Sequence, residues 1–255
     1  MKKPFVKKGI VTLAACSIAL LATAACGETG SSTSSSSASS SASSAASGVA
    51  SAVKVNVTNA TEALTVLKSG NAQFAQGSVS PNVSVTDRVD LAENGQKPHT
   101  VVITCSDSRV PPELIFNSGL GELFVIRTAG NVVGDYETGS VEYAVDHLGS
   151  SLILVMGHTQ CGAVGAAVEG GHADGHVHDI VEEITPSVTK AKQSETETAK
   201  IQDVAENLNV QNSIDNLMES DIIKKLVDSG KLEIKGAKYN INTGKVEYFE
   251  NNAKA

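Results

Sequence analysis

Three short runs of apolar, mostly branched residues constrain the fold most. They are Thr100-Val101-Val102-Ile103-Thr104, Leu123-Phe124-Val125-Ile126 and Leu152-Ile153-Leu154-Val155-Met156. Each has the length of a strand rather than of a helix, and none alternates apolar with polar. A strand that is apolar on both sides has to be covered on both sides, as in a largely parallel sheet flanked by helices. Helical periodicity appears around these runs. Leu64, Leu67 and Phe74 share a face over 61–76, with Thr58 or Thr61 as the cap. Val141, Ala144, Val145 and Leu148 mark a second helix that stops at Gly149. Ile214, Leu217, Met218 and Ile222 mark a later one, followed by a short helix over 221–228. Segments 231–237 and 245–249, with Asn242-Thr243-Gly244 between them, read as a closing hairpin. The acidic, Thr-rich stretch 182–206 reads as a solvated helix or an insertion. The chain lacks Trp and only 4% of its residues are aromatic, so Val, Ile, Leu and Ala must supply the core.

The first fifth of the 255 residues is a different material. Lys2, Lys3, Lys7 and Lys8 precede an uncharged apolar stretch from Gly9 to Ala25, the pattern of a signal peptide over 1–25. An uncleaved anchor is the alternative, at the lower length limit for a membrane span. Ala24-Ala25-Cys26-Gly27 resembles a bacterial lipoprotein processing site, which makes Cys26 the candidate for lipidation. Twelve of residues 31–50 are Ser. Such a segment cannot bury enough apolar surface to offset the entropy of ordering it, so 26–52 reads as a flexible linker. One domain of roughly 200 residues, 53–255, follows without a second linker or a repeat. The expected location is extracytoplasmic, with the domain anchored to the cell membrane through lipid. Losing the leader's four lysines takes the net charge from −8 to about −12, which argues against nucleic acid as a partner.

The chemistry lies at two strand ends. The first run leads into Cys105-Ser106-Asp107-Ser108-Arg109; if the chain stays extended, Cys105, Asp107 and Arg109 face one way. The third run leads into Gly157-His158-Thr159-Gln160-Cys161-Gly162, whose glycines allow a tight turn. Ligands of parallel sheets bind beyond the carboxyl ends of the strands. Two Cys, one His and one Asp there make a tetrahedral zinc set by donor type. Each cluster alone is a weak signal, and two Cys in an exported chain also fit a disulfide; the joint occurrence favours a metal.

These two motifs resemble those of the β-class carbonic anhydrases. The resemblance continues through Val110-Pro111-Pro112-Glu113-Leu114-Ile115-Phe116, Phe124-Val125-Ile126-Arg127, Ala129-Gly130-Asn131 and Gly139-Ser140-Val141-Glu142-Tyr143-Ala144. It also takes in Gly70, Asn71 and Phe74, and Gly236-Ala237-Lys238-Tyr239 with Thr243-Gly244. It implies an α/β, β-carbonic-anhydrase-like fold: a mainly parallel central sheet flanked by helices, with an N-terminal helical arm over 61–76. It implies one Zn2+ per chain on Cys105, His158 and Cys161, with water, hydroxide or Asp107 in the fourth position. The reaction implied is reversible hydration of carbon dioxide to bicarbonate by a zinc-bound hydroxide. Asp107 and Arg109 are the catalytic pair, Arg109 holding Asp107 off the metal, and a homodimer or larger homo-oligomer is expected. Some relatives also have a bicarbonate pocket that includes a Trp; this chain has none, which favours the open zinc site.

Two other readings stay open. On the same fold, relatives hydrolyse carbonyl sulfide or carbon disulfide. Alternatively, the chain is a non-catalytic surface zinc-binding lipoprotein built around His172, His176 and His178. Asp107 and Arg109 argue against storage, which needs no gating pair. Gly130-Asn131 reads either as a loop shaping the site or as a plain turn.

Overall fold

A computed structural model describes residues 56–81, 83–170 and 173–250. The leader, Cys26, the linker and His172 lie outside the described residues. The described residues all belong to one folded unit.

Its centre is a five-stranded sheet: β1 (Thr100–Cys105), β2 (Leu123–Thr128), β3 (Leu152–His158), β4 (Glu233–Tyr239) and β5 (Val246–Tyr248), in the order β2-β1-β3-β4-β5. The first four run parallel, and β5 returns antiparallel to β4 as the expected hairpin. β1 and β3 are buried along their whole length. Their side chains divide by parity, as the pleat requires. Val101, Ile103, Ile153 and Val155 enter one core. Val102, Leu152, Leu154 and Met156 enter another on the opposite face. β2 is only half-buried because it is an edge strand.

Among the described residues eight α-helices follow in chain order: α1 (Ala60–Ala75), α2 (Val85–Asn94), α3 (Pro112–Ile115), α4 (Asp135–Glu142), α5 (Gly162–Glu169), α6 (Val177–Ser194), α7 (Thr198–Leu217) and α8 (Asp221–Asp228). The N-terminal helix α1 packs through Ala60, Ala63 and Leu67 with α3 on the second core. Its cap is Asn59, whose side chain accepts from Glu62 N at 3.0 Å, and not Thr58 or Thr61. Thr58 instead donates from its amide and hydroxyl to Glu62, both at 2.8 Å, closing the box from the other side. α4 continues through a wider turn, Tyr143–His147, and Gly149 at φ 79° stops it as expected. Ile222 belongs to α8 and is exposed, so it is not part of the preceding helix.

The stretch 182–206 is not a solvated insertion. It divides between α6 and α7, which bury Ile184, Val188, Ala191, Ile201 and Ala205 in a third apolar cluster. Cys105 and Cys161 belong to that cluster. Apart from the buried Glu206, the acidic and Thr residues lie on the outer side and conceal an apolar stripe.

Candidate metal centre

The strand order reverses direction between β1 and β3, since β2 lies on one side of β1 and β3 on the other. A reversal of this kind opens a crevice at the carboxyl ends of the two strands. Cys105 is the last residue of β1 and His158 the last of β3. Cys161 follows three residues later, just before α5. The ligand atoms of Cys105, His158 and Cys161 lie within 4.8 Å of one another, and all three residues are buried. Among the described residues no other three His, Cys, Asp or Glu side chains converge this closely.

The geometry suits a soft divalent ion. His158 Nδ1 is 3.0 Å from the Thr159 carbonyl oxygen. A carbonyl only accepts, so Nδ1 donates, and Nε2 is left with its lone pair. That Nε2 is fully buried and has no hydrogen-bond partner. It joins two sulfurs in one buried pocket, the donor set of a tetrahedral zinc site with a position to spare. The two cysteines are free, which removes the disulfide reading. The hydrogen bond with Cys161, against burial, pulls the Cys105 thiol down to about 4, aided by His158 and by the amides of Asp107 and Gly130. The same hydrogen bond, with burial, pushes Cys161 up. Burial disfavours protonation of His158, but the neighbouring Cys105 outweighs it and the net shift is upward.

Asp107 stands at the mouth of this cluster, its Oδ2 4.0 Å from His158 Nε2. Arg109 grips it with both arms. Nε donates to Oδ1 at 2.9 Å and an Nη to Oδ2 at 2.7 Å, while the Arg109 amide also reaches Oδ1 at 2.9 Å. These bonds hold the Asp107 carboxyl at about 2, so it is an acceptor only at neutral pH. The chain does not stay extended past Cys105, as the sequence suggested. It turns, with the Val110 amide donating to the Asp107 carbonyl at 3.0 Å, and this turn brings Asp107 and Arg109 together.

Residues outside the two strand-end motifs also build the site. Arg127, on the neighbouring strand, donates from Nε to the Cys105 carbonyl at 3.0 Å and from an Nη to the Asp107 carbonyl at 2.6 Å, fixing the loop from outside. Gly130 has a positive φ of 67°, and its amide donates to Cys105 Sγ at 3.3 Å. A side chain there would sit 2.7 Å from Ile184 Cδ1, so Gly130-Asn131 shapes the site. The left-handed residue of the second loop is Gln160, φ 58°, and not one of its glycines. Gly157 serves close packing instead, since a Cβ there would lie 2.8 Å from Val210 Cγ2. His176 and His178 do not converge on the metal cluster. They pair on the surface of the α6 end with Asp179 and Glu182, each at 3.2 Å.

Comparison with known proteins decides the family. The family model described as carbonic anhydrase matches residues 100–246. Carbonic anhydrase 2 of Mycobacterium tuberculosis H37Rv is 40% identical over 194 residues, covering 74% of this chain and 92% of that protein. The chain belongs to the β-carbonic anhydrase family. Two solved β-carbonic anhydrases show the same fold. One from Coccomyxa, in complex with acetazolamide, is 31% identical with a TM-score of 0.56, covering 64% of this chain and 80% of that one. One of two tetrameric enzymes from Sordaria macrospora is 26% identical with a TM-score of 0.59, covering 73% and 96%. As a β-carbonic anhydrase the chain is a lyase that interconverts carbon dioxide and bicarbonate, and it uses one zinc per chain.

Proposed function

We propose that this β-carbonic anhydrase holds zinc on Cys105, His158 and Cys161 and works in the open arrangement, with Asp107 and Arg109 as its catalytic pair. The observation that carries this reading is the buried, unpartnered His158 Nε2 between two sulfurs, with Asp107 beside it but turned to Arg109. When bound, zinc supplies the nucleophile by lowering the pKa of a coordinated water to about 7. The chain's own residues do the rest. Arg109 keeps both carboxylate oxygens of Asp107 engaged and so out of the fourth ligand position. Asp107, ionised and facing the cluster, accepts a hydrogen bond from a reactant O–H and orients it. Arg127 and the Gly130 amide hold the Cys105 loop in place.

The test is carbon dioxide hydration by the purified chain, with its zinc content measured alongside. The expected result is one zinc per chain and hydration in the parent, with zinc lost in Cys161→Ser. A parent that binds no zinc, or a Cys161→Ser variant that keeps it, would overturn the ligand assignment. Hydrolysis of carbonyl sulfide or carbon disulfide without hydration would favour the alternative substrates.

The proposed location is the outer face of a membrane, supported by the basic leader, the apolar run that ends at Cys26 and the Ser-rich linker after it. Fatty-acid labelling of the full chain in its host should depend on Cys26; undiminished labelling of Cys26→Ser would refute the anchor. The chain also works as a homo-oligomer. Edge strand β2 and a set of exposed apolar side chains support this, as does the tetrameric relative.

A further inference from the structure

One face of α7 carries Gln202, Glu206, Asn209 and Ser213, spaced four, three and four residues apart, so they form one stripe along the helix. The stripe is polar, yet Glu206, Asn209 and Ser213 are buried. The first two members reach the loop of Cys161, and the last two reach the Gly130-Asn131 loop, which touches Cys105. Glu206 Oε1 accepts from the Cys161 amide at 3.0 Å. Gln202 Nε2 donates to the Cys161 carbonyl and to Glu206 Oε1, both at 3.2 Å. Asn209 Nδ2 donates to the Gly130 carbonyl at 2.6 Å, and the Ser213 hydroxyl to the Asn131 carbonyl at 2.8 Å. Gly130 in turn donates its amide to Cys105 Sγ.

Glu206 is held from the other side. Lys238 Nζ, reaching across from β4, lies 2.8 Å from Glu206 Oε2 and 2.7 Å from Asp203 Oδ1, and it also donates to the Asp203 carbonyl at 2.9 Å. A buried ion pair is weak grounds for stability, because desolvation cancels much of its attraction. What it does supply is a fixed acceptor at one point. Here that point is the main chain of a candidate zinc ligand.

The geometry points to α7 as a clamp, in which Glu206, locked by Lys238, is a positioning residue that sets Cys161 for zinc, and Gln202 assists it. Groups behind metal ligands tune both geometry and retention, and losing one lowers metal affinity by about 10- to 100-fold. Without Glu206 the buried Cys161 amide has no acceptor, and the loop must shift to satisfy it. This inference rests on the zinc assignment proposed above.

Two double variants separate the clamp from a merely structural ion pair. Glu206→Gln with Lys238→Met keeps an acceptor for the Cys161 amide, whereas Glu206→Leu with Lys238→Met removes it. Both abolish the buried charges. Full-length zinc-loaded chains are challenged with a chelating dye, and cobalt-substituted chains are read by their thiolate-to-cobalt absorption. The Leu/Met chain should release zinc about 10- to 100-fold faster than the parent and show altered cobalt bands. The Gln/Met chain should stay near the parent on both counts. Gln202→Met, at a half-buried position, should release zinc measurably faster while Glu206 stays in place. Equal release by the two double variants overturns the clamp, and so does parental release by Gln202→Met should the double variants fail to fold. A parent chain without zinc would instead refute the ligand assignment on which the clamp depends.

Discussion

At the scale of single residues, the site depends on where one carboxylate is kept. Asp107 has the donor chemistry to become a fourth zinc ligand and the position to reach it, 4.0 Å from His158 Nε2. It is restrained by two Arg109 side-chain bonds and one amide bond. An exposed ion pair of this sort contributes little to stability. Its value is directional, since a bidentate guanidinium fixes both carboxylate oxygens at once. Arg109→Ala should therefore leave the fold and zinc content unchanged, because the three ligands stay intact. Hydration should fall by ~10²- to 10⁴-fold, the range for losing a positioned proton-handling group. Stopped-flow hydration and metal analysis on the same preparation check this. Full activity would sink the gating role of Arg109, and lost zinc would show that Arg109 supports the ligands directly.

At the scale of elements, sequence periodicity was informative where burial was apolar and silent where it was polar. β1 and β3 could be read because their continuous apolar runs have no other explanation than burial on both faces. The convergence of Cys105, His158 and Cys161 could be read because Cys105 and His158 end those two strands. α7 could not be. Its inward face is partly Gln202, Glu206, Asn209 and Ser213, so apolar and polar residues fall on the same side and the periodic signal cancels. The same cancellation hid the site's rear wall, whose members are unremarkable in sequence and matter only through the loops they hold. Gly130 shows the complementary limit: a glycine's backbone role appears only when its φ and its neighbours are known. Gly130→Ala tests how tightly β2's exit loop is locked between β1 and α6. The added methyl would strain a left-handed residue and meet Ile184 Cδ1 at 2.7 Å. Yielding there moves the amide away from Cys105 Sγ. Thermal unfolding should show a loss of about 1–3 kcal/mol, with faster zinc release. A stable variant with parental zinc retention would mean that the amide-to-sulfur bond does not hold the ligand.

At the scale of the whole molecule, one chain leaves surface that a lone soluble domain would not be expected to leave. β2 has an unpaired edge among the described residues, and edge strands are ordinarily blunted or covered. α2 buries none of its own residues, although Leu91 rests against Gly121. Val83, Val85, Val89, Leu114, Leu120 and Tyr143 are exposed, and Tyr136 is 90% exposed. Separate apolar side chains on a surface are ordinary, but this number of large ones, with Tyr143 beside Phe124 of the uncovered edge strand, fits a contact surface. A second copy is the occupant most consistent with it, because a two-fold interface lets one surface satisfy itself. Sedimentation velocity of the purified domain should give at least a dimer mass. Val89→Glu combined with Tyr136→Glu should shift it toward the monomer with an unchanged far-UV spectrum, since both positions are exposed in the single chain. A monomeric parent would refute the homo-oligomer. A variant that keeps the parental mass would show that the copies meet on some other face.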